Sequence, residues 1–159
     1  MLNIDSMAEL ASKAGQEIAI SPWVCVNQAQ INQFAEATGD HQWIHVDPER
    51  TRKDSPFGRP IAHGFLTLSL LPTFMQNSIK LPTAKMSVNY GLNRVRFISP
   101  VPVGSSLRAR IALLNVKHLE SGVSVEAGRV TELVWEFKVE LQGSDRLVCV
   151  AESISRRYW

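Results

Sequence analysis

The hydrophobic period of this chain changes near Lys85, and that change limits its possible folds more than any other feature. Before it, apolar residues recur at helical spacing; after it, they alternate. Val95 and Phe97 alternate with Arg94 and Arg96, and Leu107, Ala109, Ile111 and Leu113 alternate with Arg108 and Arg110. Residues 130–141 and 147–154 continue the pattern. Turn-forming clusters separate the runs: Ser99-Pro100-Val101-Pro102-Val103-Gly104, Glu120-Ser121-Gly122 and Gly143-Ser144-Asp145. Strand runs joined by short turns predict an antiparallel sheet.

The first half predicts helices. Residues 7–15 form a short amphipathic segment, and residues 23–26 are too short and too rich in strand formers to be helical. Asn27 offers an N-cap oxygen with Gln30 as its capping-box partner, and Gly39 suits the left-handed position that ends the helix. Asp47-Pro48 starts another short helix, which Ser55-Pro56-Phe57-Gly58 breaks. Residues 62–77 predict a third helix, apolar nearly all round and therefore buried on most sides, with a kink or break at Pro72. A helix so apolar needs a sheet to wrap it, so the predicted class is α+β, one layer of sheet around one long helix.

Length and charge narrow the function. A chain of 159 residues is one domain by default and can bury a core without disulfides or metals. A net charge of +2 does not mark a general nucleic-acid binder. Cys25 and Cys149, both in apolar surroundings, are expected to be small core residues rather than a disulfide framework, and a reducing cytoplasm is the simplest setting. No signal peptide is expected, because Asp5 and Glu9 interrupt the N-terminal segment. The longest apolar stretch is far short of the roughly 20 residues that span a bilayer, so no membrane partner is expected.

The candidate chemistry lies between Gly39 and Gly64. Asp40, His41, Trp43, His45 and Asp47 fall in one short segment between two helix boundaries. A carboxylate beside an imidazole can hold a water as an acid–base pair, so Asp40 and His45 are either that pair or solvated loop residues. Asp47 is explained as an N-cap, His41 as an exposed residue, and Trp43 and Ile44 as core-facing anchors. His41 and His45 are four apart, but Gly39 behind and Pro48 ahead oppose the continuous helix that would align them on a metal, so no metal is expected. Gly64 opens an apolar helix at a propensity cost of about 1 kcal/mol. Either its amide receives a ligand oxygen or the glycine allows close packing against a strand; His63 beside it is expected to be structural. No G-x-S-x-G elbow, Walker loop or G-x-G-x-x-G is present. The Arg94/Arg96 and Arg108/Arg110 pairs are either solvated outer faces or a cationic rim that meets phosphates.

Three runs together resemble the MaoC-like dehydratases, which include R-specific enoyl-CoA hydratases and the nodulation protein N group. They are residues 34–40 (FAEATGD), residues 44–48 (IHVDP) and residues 59–66 (RPIAHGFL); residues 95–104 resemble that family's later strand and turn. The resemblance implies a single hotdog domain over residues 1–159, a curved antiparallel sheet wrapped around one long central helix, with residues 1–20 as an N-terminal helical extension. It implies R-specific hydration of a trans-2-enoyl-CoA or acyl-carrier thioester by a homodimer whose sheets join edge to edge, with no cofactor. It implies that Asp40 and His45 are the catalytic pair and that the Gly64 amide is the oxyanion donor. His63, Ser69, Arg94 and Arg96 are then candidates for substrate contact. Some relatives carry a serine in the central helix where this chain has Pro72; Ser69 lies one turn earlier. A hotdog thioesterase and a non-catalytic acyl-thioester or protein-binding module are the competing functions.

Overall fold

The structure, a computed structural model, describes residues 1–119 and 129–159. The turn expected at Glu120-Ser121-Gly122 lies outside the described residues. In chain order the elements are β1 (Leu2–Asn3), α1 (Met7–Ser12), β2 (Gln16–Ile20), β3 (Val24–Val26), α2 (Gln28–Thr38), α3 (Trp43–Val46) and α4 (Pro48–Asp54). They continue with α5 (Gly64–Ser69), α6 (Leu71–Gln76), β4 (Ile79–Lys80), β5 (Met86–Phe97), β6 (Ser105–Leu119), β7 (Val130–Leu141) and β8 (Leu147–Tyr158).

The alternating runs become the four long strands of one antiparallel sheet, ordered β2-β6-β7-β8-β5, with β3 also pairing β6. On β6 and β7 the period of two buries one face, whereas β5 stays exposed along nearly its whole length. Leu107, Ala109, Ile111 and Leu113 of β6 and Leu133, Trp135, Phe137 and Val139 of β7 point into the core. The opposite face carries the charges that the same period forces outward. Arg108 meets Glu140 at 2.6 Å, Arg110 meets Glu17 at 2.6 Å, and Arg156 meets Glu132 at 2.9 Å. The β6 arginines are thus an ion-paired outer face, and they are not available as a phosphate rim.

Residues 1–20 are not a helical extension. Six residues of α1 are helical, while Gln16–Ile20 joins the main sheet beside β6 and Leu2–Asn3 pairs in parallel with β4. Strand pairing with β6 overrides the weak local preference of a segment that mixes Gln and Glu with Ile and Ala. Cys25 is exposed rather than buried, because β3 is a three-residue strip whose inward side chain is Val26. Cys149 is buried as expected, and burial pushes its thiol up to about 11.

The helix starts follow the local signals. Asn27 and Gln30 form the reciprocal capping box, Gly39 adopts φ 76° at the end of α2, and Asp47 accepts from the Arg50 amide at 2.9 Å. The apolar segment 62–77 differs from one long helix: it is two helices of six residues each, broken at Leu70. Pro72 has no N–H for the Leu68 carbonyl and its ring crowds that turn, so the helix stops and restarts with proline in the first turn of α6, where no donor is required. Nor is it buried on most sides. Leu66, Thr67, Leu71 and Phe74 face the sheet, while Phe65 remains 67% exposed.

Candidate active site

The site is built by three backbone devices. The left-handed Gly39 turns the chain off α2 and delivers Asp40. The single turn of α3 then presents His45, whose carbonyl accepts from Gln28 Nε2 on α2 at 2.8 Å. Residues 60–63 run extended between α3 and the Val101–Val103 stretch: the Ile61 amide donates to the Ile44 carbonyl at 3.1 Å, and the Ala62 amide to the Val101 carbonyl at 2.8 Å. This strip brings His63 back onto the loop that holds Asp40.

One carboxylate oxygen of Asp40 and one ring nitrogen each of His45 and His63 lie within 4.8 Å of one another. The two imidazoles stack, with centroids 3.7 Å apart, and Phe34 flanks His63 at 5.0 Å. His45 and His63 are 7% and 2% exposed, whereas the Asp40 side chain is 54% exposed. The cluster therefore has a dry floor of stacked rings and one wet carboxylate at its mouth.

Hydrogen bonds set the roles of the ring atoms. His45 Nδ1 donates to the Ile61 carbonyl at 2.7 Å, which leaves Nε2 as its basic nitrogen. Burial pulls the His45 pKa below 6.5, and the neighbouring His63 pulls it the same way; the Ile61 carbonyl and Asp40 oppose them. His63 Nε2 donates to the Asp40 carbonyl at 2.9 Å, with the Asp40 carboxylate at 3.9 Å. Its Nδ1 has no hydrogen-bond partner among the described residues.

The sequence-predicted residues do not all converge. His41 is exposed, 3.7 Å from Glu36, and Asp47 is the cap of α4. Trp43 and Ile44 are only partly buried. His63, expected to be structural, is the third member of the cluster; the clue in the sequence is its place directly before Gly64, where the strip meets α5. Gly64 has both features considered for it. A Cβ there would lie 2.8 Å from the Phe97 ring, so close packing against β5 needs glycine. The helix it opens also lacks a side-chain cap, which leaves its first-turn amides without an intrahelical acceptor. Ser69 Oγ donates back to the Phe65 carbonyl at 2.8 Å and faces a cleft of about 720 Å³ between α5–α6 and the β5–β8 half of the sheet. Arg94 and Arg96 sit exposed on β5, Arg94 opposite Glu152, and Arg96 donates to the Val95 carbonyl. Neither joins the histidine cluster.

The three groups also resemble a cation site, since His45 points its Nδ1 at a carbonyl and leaves Nε2 free, as metal-bound histidines do. One carboxylate with two imidazoles is an equally good cradle for a water. A spacing of up to 4.8 Å is what a single bridging water spans with hydrogen bonds of about 2.8 Å on each side.

Known proteins carry the same framework. Residues 9–134 match the MaoC like domain. The chain is 49% identical over 156 residues to 3-hydroxyacyl-thioester dehydratase Z of Mycobacterium tuberculosis, covering 98% of each chain. It is 46% identical over 127 residues to Nodulation protein N of Rhizobium meliloti, covering 79% of each. Among solved structures, the MaoC-like dehydratase from Rhodospirillum rubrum superposes with a TM-score of 0.68 at 21% identity, covering 89% of this chain and 91% of that one. The (R)-hydratase from A. caviae superposes with a TM-score of 0.64 at 23% identity, covering 89% and 94%. The hotdog sheet, the extent of the domain match and two full-length or near-full-length relatives lead to one assignment: the chain belongs to the MaoC-like dehydratase family of hydro-lyases.

Proposed function

We propose that this protein adds water across the double bond of a trans-2-enoyl-CoA or acyl-carrier thioester to give the (R)-3-hydroxyacyl thioester, and runs the reverse dehydration. The observation that carries this reading is the Asp40–His45–His63 cluster beside the uncapped start of α5. Hydration needs a hydroxyl delivered to C3, a proton delivered to C2 and a partner for the oxygen that gains charge. Neutral His45 offers its Nε2 only as an acceptor, so a water between it and Asp40 is held by both hydrogens with a lone pair free for C3. As the C3–O bond forms, Asp40 takes the water proton and the π electrons move toward the thioester oxygen. The Gly64 amide binds that oxygen more tightly as its charge grows, which lowers the barrier more than the ground state. The proton then passes to C2 from the Asp40–His45 pair. Ser69 borders the path of the acyl chain through its place on the cleft.

Crotonyl-CoA tests the reaction class. Loss of enoyl absorbance without free thiol, unchanged by a chelator and yielding the R alcohol, is the expected result. Thiol release would identify a thioesterase, and no reaction with any enoyl thioester would leave a binding module.

The lowered pKa of His45 sets a pH dependence. Its neutral form is the working one, and that form persists below pH 6.5 because burial depresses the folded-state pKa. Activity is therefore expected to stay level as pH falls through 6.5 and to decline only at lower values. An acid limb in kcat/KM centred at or above 6.5 would contradict the neutral role.

The assembly we propose is a homodimer joined at β5. This is the long strand at one edge of the sheet, 12 residues in length, and it exposes Val88, Tyr90, Leu92 and Phe97, with Phe65 packed edge-on to Phe97 and 67% exposed. A long, exposed, apolar edge is left open only at the risk of uncontrolled pairing. Light scattering should give twice the mass of 17.7 kDa at micromolar concentration. Val88→Lys, placing a charge on that edge, should shift the protein toward monomer.

A further inference from the structure

The inward-facing row of β8 changes character halfway along the strand. Cys149 and Ala151 are buried apolar residues, but Ser153, Ser155 and Arg157 continue the same row into the cleft beneath α6. Asn89 of β5, opposite Ser155 in register, extends the polar wall. Leu71 and Met75 line the other side. A cavity of about 720 Å³ with one apolar wall and one hydroxyl-rich wall is of ligand size.

Arg157 sets this cleft apart. Arg108 and Arg110 of β6 and Arg156, its own neighbour on β8, each hold a glutamate on the outer face. Arg157 points the other way and, among the described residues, has no carboxylate within salt-bridge distance. Its Nη2 donates to the Pro82 carbonyl, and its buried Nε has no partner among those residues. Burial pulls its pKa down, yet a guanidinium remains charged at any physiological pH. A charged donor left unpaired in a partly buried cleft is costly unless something brought there satisfies it.

Its distance from the site restricts what that can be. Phe97, against which Gly64 packs, pairs with Cys149, and Arg157 lies eight residues further along β8. That separation is on the order of 26 Å at about 3.3 Å per residue. The cleft starts at Leu68 and Ser69 on α5, the helix that Gly64 opens.

The geometry points to a second anchoring site: the cleft takes an extended, oxygen-bearing chain that continues from the thioester, and Arg157 pairs with an anionic group carried on that chain. This rests on the hydratase reading above. Two sources share the chemistry, a carboxylate at the far end of the acyl chain and a phosphate of the pantetheine carrier. A crotonyl group reaches neither the polar wall nor Arg157.

Affinities of unreactive saturated thioesters measured by calorimetry test this without turnover. The probes are hexadecanoyl-CoA, its ω-carboxy analogue, and the N-acetylcysteamine thioesters of both, against wild type, Arg157→Met and Arg157→Lys. The acyl-carboxylate source predicts that wild type prefers the ω-carboxy ligands by roughly 10- to 100-fold, that Met abolishes the preference and that Lys keeps part of it. The phosphate source predicts that Met weakens both CoA thioesters by a similar factor and leaves the N-acetylcysteamine thioesters unaffected. Met that changes all four ligands equally or none, in a protein melting like wild type, overturns the proposal. Should Met unfold the chain, wild type is compared with Lys instead, and equal affinities of the two for every ligand likewise overturn it. Hydration of crotonyl-CoA by wild type, assayed alongside, reports on the hydratase reading separately, because turnover by the unsubstituted protein is read whether or not Arg157 holds an anion.

Discussion

Asp40→Asn should reduce kcat by roughly 10²–10⁴ while the protein melts like wild type. The amide keeps the shape of the side chain but cannot take the water proton. The fold has little reason to notice, because the carboxylate is 54% exposed and the buried His63 is held mainly by the Asp40 carbonyl, which the substitution leaves in place. His45→Ala should lose activity in the same range. It also removes the bond to Ile61 and the face on which His63 stacks, so its kinetics are read together with its melting point. The double variant should be scarcely worse than either single one, since both groups act on one water. Near-normal turnover in folded Asp40→Asn would falsify the mechanism while leaving the family assignment untouched.

Phe74→Ala carries the largest expected cost to stability. Phe74 is fully buried at the centre of α6, and its amide closes the first turn after the break by donating to the Leu70 carbonyl at 3.0 Å. Two short helices hold less internal cooperativity than one long one, so they depend on packing against the sheet. Removing a buried ring of this kind costs about 3–5 kcal/mol. For a chain of this length that is on the order of 10 °C in Tm. The same change at Phe65, which is 67% exposed, should cost far less in the monomer and should act on dimerisation instead. Thermal melts of the two variants side by side check both statements. A Phe74→Ala protein melting within a degree or two of wild type would mean that α6 is not part of the core as described.

Local chemistry determined a large share of this protein. The capping box at Asn27, the left-handed Gly39, the Asp47-Pro48 start and the break at Pro72 all depend on residues within a few positions of each other, so they are legible in order along the chain. The alternation after Lys85 likewise marks four strands and, on β6 and β7, the side that is buried. Tertiary structure alone decided what joins across sequence distance. Gln16–Ile20 is a strand because β6 offers it an edge, and Cys25 is exposed because the pairing of β3 with β6 turns Val26 inward instead. His63 belongs with Asp40 and His45 only because the extended strip after Pro60 hydrogen-bonds to Ile44 and Val101 and returns it to the loop. Arg157 differs from Arg156 by one residue, yet the pleat sends one to a glutamate on the outer face and the other into the cleft. Such contacts are long-range pairings, and a local sequence window contains only one side of each.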